Sequence, residues 1–263
     1  MRINQFLASA GQGSRRSCER LIIEARVSVN GKPLIKLGAK IDPDKDRVCV
    51  DGKPVKAAGH QYYLLNKPAG FVCTKNDELN RRTVYSLFPE EYSHLFTVGR
   101  LDRDSEGLII LTNDGDFSNR LTHPRYKIPK IYEVLLDSDP NPEDVRKFLK
   151  GVYIKIEEDA PMKRATAEKV FRVANKHYEL TLVQGYKRQI RQMFLAIGHP
   201  VRKLRRIQIG NLRLGNLRSG LFRSLKPSEV KSLLEYQPPK KIKKAPPVFK
   251  SPFKKTKSKT SRL

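Results

Sequence analysis

The chain has 263 residues, with 53 Lys and Arg against 27 Asp and Glu, which gives a formal net charge of +26. Such an excess of positive charge predicts a polyanionic partner, with an acidic protein or an anionic membrane surface as weaker alternatives. No run of 18 apolar residues occurs and the first residues lack a signal-peptide core, so we expect a cytoplasmic protein without a membrane span. The three cysteines have neither CxxC nor zinc spacing, which argues against a metal or disulfide framework.

The N-terminal region predicts two short helices followed by hairpins. Asn4 is expected to cap the first helix and Ser14 the second, since both are good N-cap residues. Asn30-Gly31 and Asp51-Gly52 follow short apolar runs and predict hairpin turns. A set of arginines clusters around the second helix, at Arg15, Arg16, Arg20 and Arg26. From spacing alone this cluster is either a solvated face or a phosphate-binding surface.

A charged loop beside a buried strand is the most informative stretch of the chain. Residues 62 to 66 predict one strand, and residues 108 to 111 predict a second, with Asn113-Asp114-Gly115 as a hairpin turn. Asp102 lies between Arg100 and Arg103 on the loop that enters this strand, where a carboxylate is held rigidly yet stays accessible. Solvated ion pairs are the alternative interpretation.

A calcium loop is a second alternative for the same stretch. The acids Asp102, Asp104 and Glu106 superficially match the start of such a loop. Asn113, however, stands where a bidentate Glu is needed, and we therefore predict no metal site.

The C-terminal half alternates strands and helices. Strands are predicted at 130 to 135, 152 to 156 and 178 to 183, and several more with a basic face between 201 and 225. Asn141-Pro142 begins one helix, another follows near residue 189, and a last one spans 228 to 234. Residues 237 to 263 carry ten Lys or Arg, five Pro and no acid, which predicts a disordered basic tail.

Several motifs, in order, resemble a known family. The stretch GRLDRDSEGLIILTNDG, together with NKPAGFVCTKND, a K-x-Y-x-V strand and a Q-I-R helix, is similar to the bacterial ribosomal RNA pseudouridine synthases. The resemblance implies that Asp102 is catalytic, that Tyr132 lies against the target base, and that Arg191 forms a salt bridge with the catalytic carboxylate. The chain departs from many members at Gln184 and Gln192. The segment NQFLASAGQGSRRSCERLIIEARVSVNG similarly resembles the RNA-binding domain of ribosomal protein S-four.

The resemblance implies an α+β protein in three parts. Residues 1–58 would be the RNA-binding domain and linker, residues 59–236 a catalytic domain on a mostly antiparallel mixed sheet, and residues 237–263 the tail. The expected RNA-binding residues are Ser14, Arg15, Arg16, Arg20, Arg100, Arg103 and Arg188.

The implied reaction breaks the bond between ribose C1′ and uracil N1 and rejoins the base through C5, without a cofactor. The carboxylate would act on a flipped-out base, either as a nucleophile or as a base that removes a ribose proton. We expect a monomer that acts on ribosomal RNA or a ribosomal assembly intermediate, with large-subunit RNA favoured over small-subunit RNA. A noncatalytic ribosome-associated RNA-binding protein and a base-excising glycosylase are the alternatives.

Overall fold

The computed structural model describes residues 1–56, 59–157 and 159–238. The predicted boundary after residue 58 and all but the first two residues of the predicted basic tail therefore lie outside the described residues. Within the described ranges, none of the helices is both long and apolar enough to cross a membrane.

The N-terminal unit contains two helices packed on a small antiparallel sheet. The helices are α1 (Ile3–Ser9) and α2 (Arg15–Ile23), and the strands are β1 (Val27–Val29), β2 (Lys32–Pro33), β3 (Val48–Val50) and β4 (Lys53–Pro54) in the order β2-β1-β3-β4. Ser14 caps α2 by accepting a hydrogen bond from the Ser17 amide, as predicted. The prediction for Asn4 is wrong: the N-cap of α1 is Arg2, two residues earlier, and Asn4 lies buried inside the helix, where its side-chain amide donates to Glu19.

The rest of the described chain forms one large sheet, a short two-stranded sheet and four helices. The strands are β5 (Tyr62–Lys67), β6 (Phe96–Thr97), β7 (Ser105–Thr112), β8 (Lys130–Leu136), β9 (Val152–Ile154), β10 (Lys163–Ala165), β11 (Lys169–Ala174), β12 (His177–Leu182), β13 (Val201–Ile209), β14 (Leu212–Arg213) and β15 (Phe222–Ser224). The helices are α3 (Gly115–Thr122), α4 (Pro142–Lys150), α5 (Gln189–Leu195) and α6 (Pro227–Leu234).

The large sheet is mixed and mostly antiparallel, which confirms the predicted α+β class. Its strand order is β11-β12-β8-β13-β7-β5-β15, with β14 paired to β13 and β6 paired to β7. Only the β13–β7 pair is parallel among the described strands. At that pair Gly107 has φ +102°, and a Cβ there would lie 2.2 Å from the Arg206 carbonyl oxygen. The absence of a side chain at Gly107 therefore lets the two strands approach closely.

The turn after β7 leads into a helix and not into a hairpin. The Asp114 carboxylate accepts hydrogen bonds from the amides of Asp116 and Phe117 and so caps α3. The predicted hairpin at 113 to 115 is therefore wrong. The physical reason is that an Asp side chain which stabilises a turn also satisfies the free amides of a helix N-terminus.

Two apolar clusters flank the central strands. One includes Phe148 of α4 with Met193 and Phe194 of α5, and the other includes Phe117 of α3 with Leu233 of α6. A cavity lies where residues from both clusters meet, at strands β7, β8 and β13.

Candidate active site

The cavity has a volume of about 290 Å³ and mixed polar and apolar walls. Its lining from β7, β8, β12 and β13 comprises Ser105, Lys130, Tyr132, Leu182, Leu204, Arg206 and Ile209. Two loops add to the wall, one from Val98 to Asp102 and the other from Gln184 to Arg188, and the end of α3 and the start of α5 also contribute. The cavity is thus built from segments far apart in the sequence, and the predicted residues Asp102 and Tyr132 share it.

Asp102 lies on the loop just before β7 and is partly buried at the wall of the cavity. Among the described residues, its carboxylate has no hydrogen bond and no ion pair within 4.0 Å. Its negative charge acts at longer range on the cations of Lys67 and Arg191, where it opposes the lowering of their pKa values by burial. A carboxylate that faces a cavity without a bound partner is available to react with a ligand.

Lys67 holds the backbone of this loop through hydrogen bonds to its carbonyl oxygens. Its side chain is 0% exposed, and the ammonium donates to the carbonyl oxygens of Pro68 (3.0 Å), Asp102 (3.1 Å), Arg103 (3.2 Å) and Ser105 (2.6 Å). Burial lowers the pKa of the Lys67 amine, while nearby acids oppose that shift. A lysine at the end of an otherwise apolar buried strand was the signal for a larger role.

Arg191 also donates to the main chain of this loop, but it does not form the predicted salt bridge with Asp102. Its guanidinium donates to the Val201 carbonyl (2.8 Å) and to the Asp104 carbonyl (3.0 Å). Burial, followed by repulsion from Arg188, lowers the Arg191 pKa. The Arg191 guanidinium is already hydrogen-bonded to main-chain oxygens, which is why it does not pair with the Asp102 carboxylate. It acts on Asp102 through its positive charge and by holding the loop in place.

Tyr132 lies on β8, with Leu180 of β12 and Arg206 of β13 as its neighbours in the sheet. It is partly buried and lines the cavity, and it packs both against the apolar cluster that includes Phe148 and against another that includes Leu65 and Ile109. Its ring therefore offers an aromatic surface to a planar ligand in the cavity. The role of Tyr132 against a base stays a prediction.

The predicted RNA-binding residues fall into two groups. Arg100 and Arg188 are exposed at the cavity, and Arg188 lies 3.5 Å from the Asp104 carboxylate, whereas Arg103 is exposed away from the cavity lining. The second group lies on the N-terminal unit, where Ser14, Arg15, Arg16 and Arg20 are all exposed.

Arg26 differs from the other arginines of the N-terminal cluster. Its guanidinium donates to both carboxylate oxygens of Asp51, at 2.8 and 2.7 Å. Arg26 is therefore occupied in joining α2 and β1 to the β3–β4 turn.

The acidic side chains of the loop, Asp102, Asp104 and Glu106, do not converge on a common coordination site. Asp104 pairs with Arg188 and Glu106 with Lys203, each at 3.5 Å. In the described part of the chain, no group of three or more His, Cys, Asp or Glu side chains is placed to hold a metal ion. This is why the calcium interpretation of the loop gains no support.

Comparison with known proteins agrees with this geometry. The family model for RNA pseudouridylate synthase matches residues 61–196, and that of the S4 domain matches residues 1–46. The chain is 38% identical to ribosomal large subunit pseudouridine synthase B of Bacillus subtilis, over 88% of this chain and 95% of that protein. It is 34% identical to ribosomal small subunit pseudouridine synthase A of Vibrio parahaemolyticus, over 81% and 90%. A crystal structure of a pseudouridylate synthase superposes with a TM-score of 0.64 and 29% identity, and covers 89% of this chain and 99% of that one.

An S4 domain followed by a pseudouridylate synthase domain is the arrangement of an RNA-modifying enzyme. The chain belongs to the RNA pseudouridylate synthase family. It is accordingly an isomerase whose substrate is a uridine in RNA, and it carries an S4 domain at its N-terminus.

Proposed function

We propose that this protein isomerises a uridine of ribosomal RNA, with large-subunit RNA favoured, and that Asp102 is its catalytic group. The observation that carries the proposal is the unpaired Asp102 carboxylate in a cavity that also presents the Tyr132 ring. The identity to the large-subunit synthase exceeds that to the small-subunit synthase only slightly, at 38% against 34%. That difference supports large-subunit RNA as the first substrate to test.

The geometry supports a flipped-out base as the reacting species. A cavity of about 290 Å³ suits one nucleotide and not a duplex, so the target uridine must leave its stack before it reaches Asp102. The Tyr132 ring replaces the lost stacking partner, and the exposed arginines Arg100 and Arg188 lie where flanking phosphates would enter.

In this scheme, three hydrogen bonds from Lys67 and one from Arg191 to the loop 102–105 hold the carboxylate at a fixed position. Asp102 then acts either as a nucleophile or as a base toward the ribose. We further propose that the first 58 residues and residues 59–236 form separate RNA-binding and catalytic domains, as the separate family matches at 1–46 and 61–196 suggest.

The decisive experiment maps pseudouridine in ribosomal RNA from a deletion strain and its parent. One or more sites must disappear on deletion and return on complementation with the wild-type gene but not with Asp102→Asn. Asn is nearly isosteric with Asp and cannot serve as nucleophile or base, so RNA affinity of the purified variant should stay within a few-fold. Turnover by Asp102→Asn near the wild-type rate would rule out the carboxylate, and an unchanged ribosomal RNA map would rule out this substrate. Release of free uracil would instead indicate a glycosylase.

A further inference from the structure

Two cationic side chains on the sheet strands that line the cavity have no carboxylate to neutralise them. Lys130 begins β8 two residues before Tyr132, and Arg206 lies directly opposite Tyr132 on β13. Both line the cavity. Among the described residues, neither cation has an ion pair within 4.0 Å. Buried or half-buried cations without a counter-charge are costly, which indicates that an anionic or strongly polar group belongs there.

Arg206 in particular has an unused hydrogen-bond donor. The residue is 4% exposed, and its Nε donates to the Leu108 carbonyl at 2.8 Å. Its Nη2 atom is buried and has no hydrogen-bond partner among the described residues. The same holds for the hydroxyl of Ser105 on the adjacent strand β7. Ser105 also lines the cavity. Two unsatisfied polar groups therefore belong to residues of one cavity wall, and each is costly to leave unpaired.

The charge balance of the cavity favours an anion. Its charged lining residues are the cations Arg100, Lys130, Arg188 and Arg206 and the single anion Asp102. Burial, together with repulsion from Arg206, lowers the pKa of Lys130 from 10.5 to about 8. Near neutral pH Lys130 therefore remains mainly charged beside Arg206, although it lies in an environment that disfavours that charge.

The reaction itself creates an anion of suitable shape. When the bond between C1′ and N1 breaks, the electron pair leaves with uracil, and its negative charge spreads over N1, O2 and O4. A pair from C5 then forms the bond to C1′. The proton on C5 departs and one proton is taken up at N1, so the atoms and charges balance. Between the two steps the detached base is held as an anion, and carbonyl oxygens O2 and O4 carry much of its charge.

We propose that Lys130 and Arg206 bind a carbonyl oxygen of the target uracil and stabilise the negative charge of the base after it detaches. The inference rests on the proposal that the Asp102 cavity is the reaction site, but not on which RNA supplies the uridine. A phosphate is the less suitable occupant of this position. Lys130 and Arg206 lie on the sheet beside Tyr132, whereas the exposed Arg100 and Arg188 at the cavity are better placed for the backbone.

The test compares two free bases as probes on the full-length protein, so that no RNA target needs to be known. Uracil is neutral at neutral pH, whereas 5-nitrouracil is an anion because its nitro group withdraws electrons. Equilibrium dialysis should show that 5-nitrouracil binds roughly ten-fold or more tightly, as expected for charge-assisted contacts. The variants Lys130→Met and Arg206→Gln should each remove most of that preference while affinity for uracil changes little.

Arg205→Gln is the matched control. Arg205 neighbours Arg206 on β13, but it pairs with Glu133 at 3.8 Å and does not line the cavity. This variant should keep the full preference for 5-nitrouracil. The comparison of the two bases on the wild-type protein and on Lys130→Met remains decisive if Arg206→Gln does not fold.

Several results would overturn the inference. Equal affinity for the two bases, no binding of either base, or a preference that survives both variants would each show that the pair does not hold the base. Variants that lose affinity for inorganic phosphate yet keep the preference would assign the cations to the RNA backbone. A failed base preference together with an inactive Asp102→Asn enzyme would leave the proposed function intact, so the two failures are distinguishable.

Discussion

Substitution of Lys67 by Met tests whether a buried ammonium positions the Asp102 loop. Met keeps the length and the apolar stem but donates no hydrogen bond. Of the four carbonyls that Lys67 serves, Asp102 keeps a second donor in the Ser105 amide, and Arg103 keeps one in the Gly70 amide. About two acceptors lose their main partner, each at about 1–3 kcal/mol. Relief of the buried charge offsets part of this, so we expect a net destabilisation of about 3 kcal/mol.

The same change should lower turnover more than it lowers RNA affinity. Release of the loop displaces the carboxylate, and misplacement by about 1 Å costs on the order of 100-fold in rate. Urea unfolding measures the stability, and single-turnover pseudouridine formation measures the activity at a temperature where both proteins are folded.

Lys155→Met is the control for this test, because it removes one exposed lysine outside the cavity and should change neither stability nor turnover. Wild-type unfolding behaviour in Lys67→Met would refute the hydrogen-bond argument. A destabilised variant that keeps full turnover would show that Lys67 stabilises the fold without positioning Asp102.

Arg191, the N-terminal arginines and Lys130 can each be tested by substitution. Arg191→Lys should retain part of the activity, because one donor to the Asp104 carbonyl can be kept, whereas Arg191→Ala should retain very little; full turnover by the alanine variant would place this side chain outside the machinery. Arg15→Ala with Arg16→Ala should weaken binding similarly across RNA sequences and flatten its salt dependence by about 0.7 per lost contact, and an unchanged slope would assign both residues to solvent. Because the folded-state pKa of Lys130 is lowered from 10.5 to about 8, the unfolded chain binds more protons between those values and this group's contribution to stability rises with pH. Lys130→Met should therefore be more stable than wild type at pH 7, by up to about 3 kcal/mol, with a smaller difference at pH 10 in urea titrations; equal stability at both pH values would contradict the shift.

Local sequence signals were enough to predict much of the fold. Three of these signals each favour one local structure and lead to the predicted element. They are Ser14 before an amphipathic helix, Asn30-Gly31 between apolar runs, and Asn141-Pro142 at a helix start. The signals failed where one residue type serves two structures. Asp114 was interpreted as a hairpin residue because turns and helix N-caps both use a short acidic side chain.

The sequence predicted only some of the residues that form the site. Asp102 and Tyr132 follow from motifs, and the structure brings them into one cavity. The parts played by Lys67 and Arg206 depend on main-chain atoms 35 to 98 positions away, a distance at which no local pattern applies. The absence of a salt bridge between Arg191 and Asp102 was equally hidden, because main-chain carbonyls compete for the same guanidinium and leave no trace in the sequence.

The parallel pairing of β13 with β7 has a consequence for how the enzyme is made. β7 carries the Asp102 loop at its start, yet its neighbour β13 begins at Val201, about a hundred residues later in synthesis. While the chain is still being synthesised, β7 can pair with β5 and β6, but the strand β13 that brings Arg206 to the cavity does not yet exist. Such non-local pairing forms late in folding. A nascent chain is therefore expected to remain inactive toward RNA until almost all of it has left the ribosome that makes it.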